Sequence, residues 1–230
     1  WPVVLAVVLT AVLEVLDSTI VNVALPHLQA AFGIAADQTT WILTSYIVAA
    51  IVVMPLTGLF ARWLGKRRLI TISIVGFTVF SALCGIAENI EMMVVCRLGQ
   101  GLFGAFLIPL SQSTLMNAFP RDRRGQAMAM FGLGVIVAPI LGPTLGAVLT
   151  EHFSWRAVFY VNVPIAAFAL MMISGELQRE ETQKVAIDWT GLILMVLAIG
   201  CLQFVLDQGE TRDWLESRVI QVFVTVAALS

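Results

Sequence analysis

The sequence predicts an all-α integral membrane protein, on three observations. Of its 230 residues, 59% are hydrophobic and 12% charged, with a mean hydropathy of +0.93; soluble domains average about 45–50% apolar and about 25% charged. The apolar residues come in runs long enough to cross a hydrocarbon core of ~30 Å as helices. The basic residues collect on every second connection between those runs, the charge asymmetry of a multi-pass protein. The net charge of −2 carries no comparable information, because charge acts here by its place rather than by its sum.

Hydrophobic length places seven full spans at 3–25, 40–61, 69–87, 92–119, 126–149, 155–173 and 189–206, and a shorter run from 219 onward. The connections are short and leave no room for a folded soluble domain. The expected organisation is a six-span bundle over residues 1–175, a cytoplasmic loop over 176–187, and two further spans over 188–230. The last run amounts to about 18 Å of helix, short of a crossing. With Trp1 as its first residue, the chain is expected to be a fragment. The first run is too long for the h-region of a signal peptide and lacks a cleavage site.

Arg62, Lys66, Arg67 and Arg68 lie between spans two and three, Arg121, Arg123 and Arg124 between four and five, and Arg179 and Lys184 between six and seven. The alternate connections hold Arg156, Arg212 and Arg218 beside Asp37, Glu88, Glu91, Glu151, Glu210, Asp213 and Glu216. The positive-inside rule then predicts that the N-terminus and the basic loops are cytoplasmic, and the expected location is the cytoplasmic (inner) membrane as a multi-pass protein.

Three charges depart from this sorting. Glu14 and Asp17 stand one helical turn apart inside span one, and Arg97 lies inside span four. Each intramembrane acid costs about 2.5–3.5 kcal/mol at mid-membrane on insertion scales. Such residues serve by default as an ion or proton site, a substrate counter-charge or a buried partner for another charge. Asp17 is expected about 12 Å from the outer end of its span and Arg97 about 8–9 Å from that of its own. At matched depth, pairing offsets much of the burial cost; the alternative is an Arg97 that snorkels to the outer surface.

Helical phase sorts the remaining polar residues. At about 100° per residue, Glu14 falls about 60° from Asp17 and is expected to share a cavity with it. Asn22 falls about 140° away and is expected to hydrogen-bond a neighbouring helix. On span four, Arg97, Gly101, Gly104, Ile108, Ser111 and Leu115 form one stripe, which suits an apolar cavity wall or ordinary helix packing. On span five, Gly134, Ala138, Gly142 and Gly146 recur every four residues, a ridge that lets another helix approach closely. Pro139 and Pro143 each remove a backbone donor there and predict a bent, pivoting helix.

Other chemistries find little support. Cys84, Cys96 and Cys201 read as small packing residues rather than redox or metal groups. His27 and His152 are expected in outer loops, and no hydrolase or metalloprotease motif occurs. No enzyme, cofactor, metal site or nucleic-acid partner is therefore expected. A transporter and a non-transporting membrane sensor or scaffold both remain open on these grounds.

Five stretches together resemble the major facilitator superfamily, in particular the first half of its 14-span drug:proton antiporters of EmrB/QacA type. They are Leu16 to Pro26 in span one, Gly58 to Arg68 after span two, Arg97 to Ala105 in span four, Gly134 to Gly146 in span five and Trp155 to Pro164 at the start of span six. The chain carries Arg62 where the loop motif usually has an acid, and Ala138 where the span-five motif usually has Gly. The short loop after span six favours 14 spans over 12, with spans seven and eight as two extra linking helices.

The resemblance implies two six-helix bundles that rock about a central site, and a multidrug efflux antiporter driven by the proton motive force. In it Asp17 and Arg97, with Glu14, serve proton coupling, and Glu14 is a second proton site or a counter-charge for cationic compounds. Gly58, Gly65, Lys66, Arg67 and Arg68 belong to a cytoplasmic gating loop. Small-molecule substrates, protons and the lipid bilayer are the implied partners; a periplasmic adaptor and an outer-membrane channel serve some relatives. A dedicated exporter of one metabolite is the rival on the same fold.

Overall fold

The computed structural model describes residues 2–176, 188–209 and 217–229, all of whose regular elements are helices. The loop expected at 176–187 therefore lies almost wholly outside the described residues, as do Arg179, Lys184, Arg212, Glu210, Asp213 and Glu216. The elements are α1 (Pro2–Phe32), α2 (Ala36–Val53), a 3₁₀ turn (Met54–Leu56), α3 (Thr57–Leu64), α4 (Lys66–Gly85), α5 (Ile90–Gly104) and α6 (Leu107–Ala118). They continue as α7 (Arg124–His152), α8 (Ala157–Tyr160), α9 (Asn162–Glu176), α10 (Trp189–Gln208) and α11 (Arg218–Leu229).

Glycine and proline set most of the boundaries. α1 ends at Gly33, whose φ of 64° suits a residue without Cβ. The Ile34 N–H then bonds back to the Gln29 carbonyl at 3.2 Å, the six-to-one bond of a Schellman motif. Gly65, at φ 81°, is the single residue between α3 and α4. Pro55 sits in the 3₁₀ turn that interrupts span two. Pro109 lacks the N–H that would reach Ala105, and its ring crowds that carbonyl, so span four divides into α5 and α6 at Ala105–Phe106. Pro164 acts likewise on Tyr160 and separates α8 from α9. Asn89 caps α5 by accepting the Met92 N–H at 2.8 Å.

Among the described residues, six helical segments are long and apolar enough to cross a membrane: Pro2–Phe32, Ala36–Leu64, Lys66–Gly85, Ile90–Ala118, Arg124–His152 and Trp189–Leu206. The run expected as the sixth full span, 155–173, is instead the shorter apolar stretch Ala157–Ile173, divided at Pro164. His27 and His152 lie in α1 and at the last position of α7, both exposed, rather than in loops.

α1 is the central helix of the bundle. Its most extensive contact is with α7, and it also meets α9, α6, α2 and α8. α5 packs between α2 and α4, and α10 lies against both α11 and α2. Three buried clusters fill the interior. One joins α1, α2, α4, α6 and α9 around Phe77 and Leu110. The second surrounds Trp155 and Phe159 near Ile20, Leu28 and Met93. The third places Val4, Val7 and Ala11 of α1 against Leu115, Ala127 and Phe131.

The span-five ridge explains the contact of α7 with α1. A Cβ at Gly134 would strike the Val8 side chain, one at Gly142 would strike Thr19 Oγ1, and one at Gly146 would stand 3.0 Å from the Ile20 carbonyl oxygen. Ala138 is fully buried in the same row. Pro139 and Pro143 fall on the exposed outer side of a helix that runs unbroken through both.

Thr19 cannot swing aside freely, because its hydroxyl donates to the Val15 and Leu16 carbonyls at 3.0 Å each. Gly142→Leu should therefore destabilise the bundle by about 1–3 kcal/mol through overpacking. Gly132→Leu, whose Cβ meets nothing within 4 Å, should change little. Thermal unfolding of both variants in detergent compares them.

Candidate functional site

The intramembrane charges meet in the centre of the bundle. Asp17 reaches it from α1 and Arg97 from α5, and both side chains are fully buried. Arg97 Nη1 donates to Asp17 Oδ2 at 2.6 Å, and Arg97 Nε donates to the Ile42 carbonyl of α2 at 3.2 Å. Arg97 therefore does not snorkel.

Two neutral amides complete the shell around the carboxylate. Gln100, one turn after Arg97 on α5, donates Nε2 to Asp17 Oδ1 at 2.8 Å and accepts from Arg97 Nη1 at 2.7 Å. Asn162, the first residue of α9, donates Nδ2 to Asp17 Oδ1 at 2.6 Å and to Ser81 Oγ at 2.9 Å. Ser81 of α4 in turn donates to the Phe159 carbonyl at 2.8 Å. The Cys84 thiol also reaches Gln100 Oε1, at 3.8 Å. Five spans thus contribute to one network of fully buried polar groups.

Gln100 and Asn162 were not singled out from the sequence as site residues. The available signal was the same one that marked Asp17, a strongly polar side chain inside an apolar run. Tyr46 of α2 was also missed. Its ring lies beneath the Arg97 guanidinium, with Cζ 4.3 Å from the ring centroid, a cation–π geometry.

Glu14 stands apart from this network. It is 7% exposed, and its Oε2 accepts the backbone N–H of Ile108 at 3.2 Å. Ile108 belongs to the first turn of α6, whose N–H groups lose helical partners where Pro109 divides the span. An acid at that position satisfies a free donor and faces the positive end of the half-helix dipole. The partner missing from the sequence reading is therefore a broken helix end. Glu14 and Asp17 consequently face different groups rather than one shared cavity.

Other expectations change as well. Asn22 is exposed and donates within its own helix, to the Ser18 carbonyl at 3.3 Å, not to a neighbour. Gly101 and Gly104 do not line a cavity. A Cβ at Gly101 would run into the Tyr46 carbonyl oxygen, and one at Gly104 would stand 2.9 Å from Tyr46 Oη and 3.2 Å from the Phe77 ring. Both glycines instead let α5 close on α2 and α4. Ile108 is partly buried against the cluster around Leu115, and Ser111 is fully buried.

Of the expected gating residues, Gly58 lies within α3 with open space around it, Gly65 supplies the positive-φ link, and Lys66, Arg67 and Arg68 open α4. Arg62 sits exposed in the last turn of α3. Cys84, Cys96 and Cys201 are buried, and none forms a disulfide.

A buried ion pair of this kind is costly to half-remove. Arg97→Leu leaves a carboxylate without its counter-charge and should cost about 3–5 kcal/mol. Adding Asp17→Asn to it should restore part of that loss. Denaturant unfolding in detergent of the two single variants and the double variant provides the cycle.

Residues 7–228 match the sequence profile described as Major Facilitator Superfamily. The chain is 40% identical over 228 residues to the multidrug export protein EmrB of Haemophilus influenzae, covering 98% of this chain and 44% of that protein. It is 42% identical over 211 residues to the fatty acid resistance protein FarB of Neisseria gonorrhoeae, covering 91% and 42% respectively. The chain thus spans about half the length of the curated relatives it matches. Among solved structures, the human organic anion transporter MFSD10 superposes with a TM-score of 0.70 at 21% identity, over 90% of this chain and 55% of that one.

Proposed function

This chain belongs to the major facilitator superfamily, and from that premise we propose that it is the first half of a proton-coupled exporter of small amphipathic or hydrophobic compounds. The observation that carries the reading is the fully buried Asp17–Arg97 pair with its amide shell. A structural bundle has no need of that desolvation cost, and a carboxylate held by one guanidinium is a site at which proton binding competes with a counter-charge. The names of the relatives in multidrug export support the substrate class.

In this mechanism Asp17 takes up a proton, which neutralises the carboxylate and releases its grip on Arg97. The five-span network then rearranges, and the bundle rocks against the second half of the protein. One proton moving down 100 mV supplies about 2.3 kcal/mol, enough for roughly a 50-fold substrate gradient. The Arg62 and Lys66–Arg68 end faces the cytoplasm of an inner-membrane protein, by the positive-inside rule. Residues 1–175 form the first rocking bundle, and α10 with α11 belong to two extra linking helices of a 14-span protein. The ridge of Gly134, Ala138, Gly142 and Gly146 lets α7 slide or pivot on α1, and the Gly58–Arg68 segment gates the cytoplasmic side. A periplasmic adaptor and outer-membrane channel would carry the exported compound onward.

A second reading is a dedicated exporter of one metabolite class, favoured by the relative named for fatty acid resistance. A panel of cationic dyes and fatty acids offered to the complete protein separates the two. For coupling, Asp17→Asn and Arg97→Ala should each lower proton-driven ethidium transport in proteoliposomes at least tenfold. Wild-type rates in both variants would remove the proposal.

A further inference from the structure

Every hydrogen bond made to the Asp17 side chain among the described residues comes from a donor. Arg97 Nη1 points at Oδ2, and Gln100 Nε2 and Asn162 Nδ2 point at Oδ1. The shell is therefore built for the ionised carboxylate, and a proton added to it meets no acceptor. Two amide oxygens belong to the same shell. Gln100 Oε1 is held by Arg97 Nη1 at 2.7 Å and by the Cys84 thiol, so inverting that amide would set its N–H groups against the guanidinium. Asn162 Oδ1 is buried and has no hydrogen-bond partner among the described residues, which folded proteins rarely tolerate without a use. Asn162 is thus the amide free to invert.

Its second contact leads away from the carboxylate. Nδ2 also donates to Ser81 Oγ at 2.9 Å, and the Ser81 proton goes to the Phe159 carbonyl at 2.8 Å. A serine hydroxyl donates and accepts, and rotates to suit its neighbours. Phe159 lies in α8 and Asn162 begins α9, across the break that Pro164 imposes on span six. Arg156, just before α8, donates to the Ala87 carbonyl at 3.1 Å and lies 4.1 Å over the Trp155 ring. That contact ties α8 to the end of α4 independently of Asp17.

We propose that Asn162 reads the protonation of Asp17 and passes it to the α8–α9 break. When a proton arrives at Asp17 Oδ1, the Asn162 amide inverts and its oxygen accepts the carboxyl O–H. The same amide oxygen accepts the Ser81 hydroxyl, which leaves the Phe159 carbonyl. One O–H bond forms on Asp17 with a proton from the driving gradient; Asn162 and Ser81 exchange hydrogen bonds alone. The inverted N–H groups and the released Phe159 carbonyl then lack partners, and α9 shifts at its break while Arg156 keeps α8 tied to α4. Loss of the proton reverses each step. The charged or titratable groups around the carboxylate are Arg97 from α5, with Tyr46 of α2 beneath it, Cys84 of α4 at Gln100, and Glu14 on its own helix. α6 has no titratable side chain, and those of α7, α8 and α9 are exposed or stand at helix ends. Asn162 acts through Asp17 and is a positioning residue.

The inference rests on Asp17 as the coupling acid, and the test separates the two claims. The complete protein is prepared with its asparagines isotope-labelled at Cγ, and infrared difference spectra are taken between high and low pH. They should show a carboxyl C=O band that Asp17→Asn lacks, and a labelled amide band that shifts with it and is lost in Asn162→Leu. A carboxyl band with no change in the labelled amides overturns the inference and leaves the coupling acid standing, and absence of the carboxyl band overturns it as well. Should Asn162→Leu fold poorly, loss of the amide shift in Asp17→Asn assigns the band, because Asn162 is the asparagine bonded to that carboxylate. Ser81→Ala cuts the chain beyond the amide. Its carboxyl band should persist while proton-driven ethidium transport in proteoliposomes falls at least fivefold. Transport within twofold of wild type in Ser81→Ala, with Asp17→Asn inactive, overturns the link to span six. Proton-driven transport retained in Asp17→Asn overturns both claims.

Discussion

A carboxylate and a guanidinium removed entirely from water constrain this structure more than any other feature. Taking both ions into a low-dielectric interior costs several kcal/mol apiece, and their attraction repays it only when geometry and hydrogen bonding are near complete. That demand explains why five spans converge on Asp17. Oδ1 requires the amides of Gln100 and Asn162, Oδ2 requires Arg97, and Arg97 Nε requires the carbonyl of Ile42. The backbone must let these groups approach, and Gly101 does so by admitting the Tyr46 carbonyl where a Cβ would stand. Small residues and the buried pair are therefore one arrangement. The glycines bring α5 close, and the charges make the closeness worthwhile.

Prolines act on the bundle according to what their missing N–H would have met. Pro109 falls early in the second half of span four, and the resulting break exposes donors at mid-bundle, which Glu14 meets. Pro164 breaks span six so that Asn162 begins α9 at the level of Asp17. Pro139 and Pro143 lie on the outer side of α7 and leave that helix unbroken, while its inner side presents the smooth ridge to α1. The same residue type thus builds a site in two spans and leaves the third free to serve as a contact surface.

Sequence alone determined the membrane class, most of the spans, the alternation of basic loops and the three charges that lipid would reject. Hydrophobic length and the cost of burying charge are properties of a residue and its near neighbours, so they can be read along the chain. The matched depth of Asp17 and Arg97 followed from counting along two helices. Which helices are neighbours, and how each is rotated, depends on packing between residues far apart in the chain. Only the tertiary structure therefore decided that Gly101 and Gly104 are contacts rather than cavity walls, that Asn22 turns back on its own helix, and that α1 is the partner of the span-five ridge. It also recruited Gln100, Asn162 and Tyr46, whose roles rest on the side chains opposite them. Glu14 shows the division most directly. Its cost was legible in span one, and its partner is a backbone N–H that is free because a proline 95 residues further along breaks another helix.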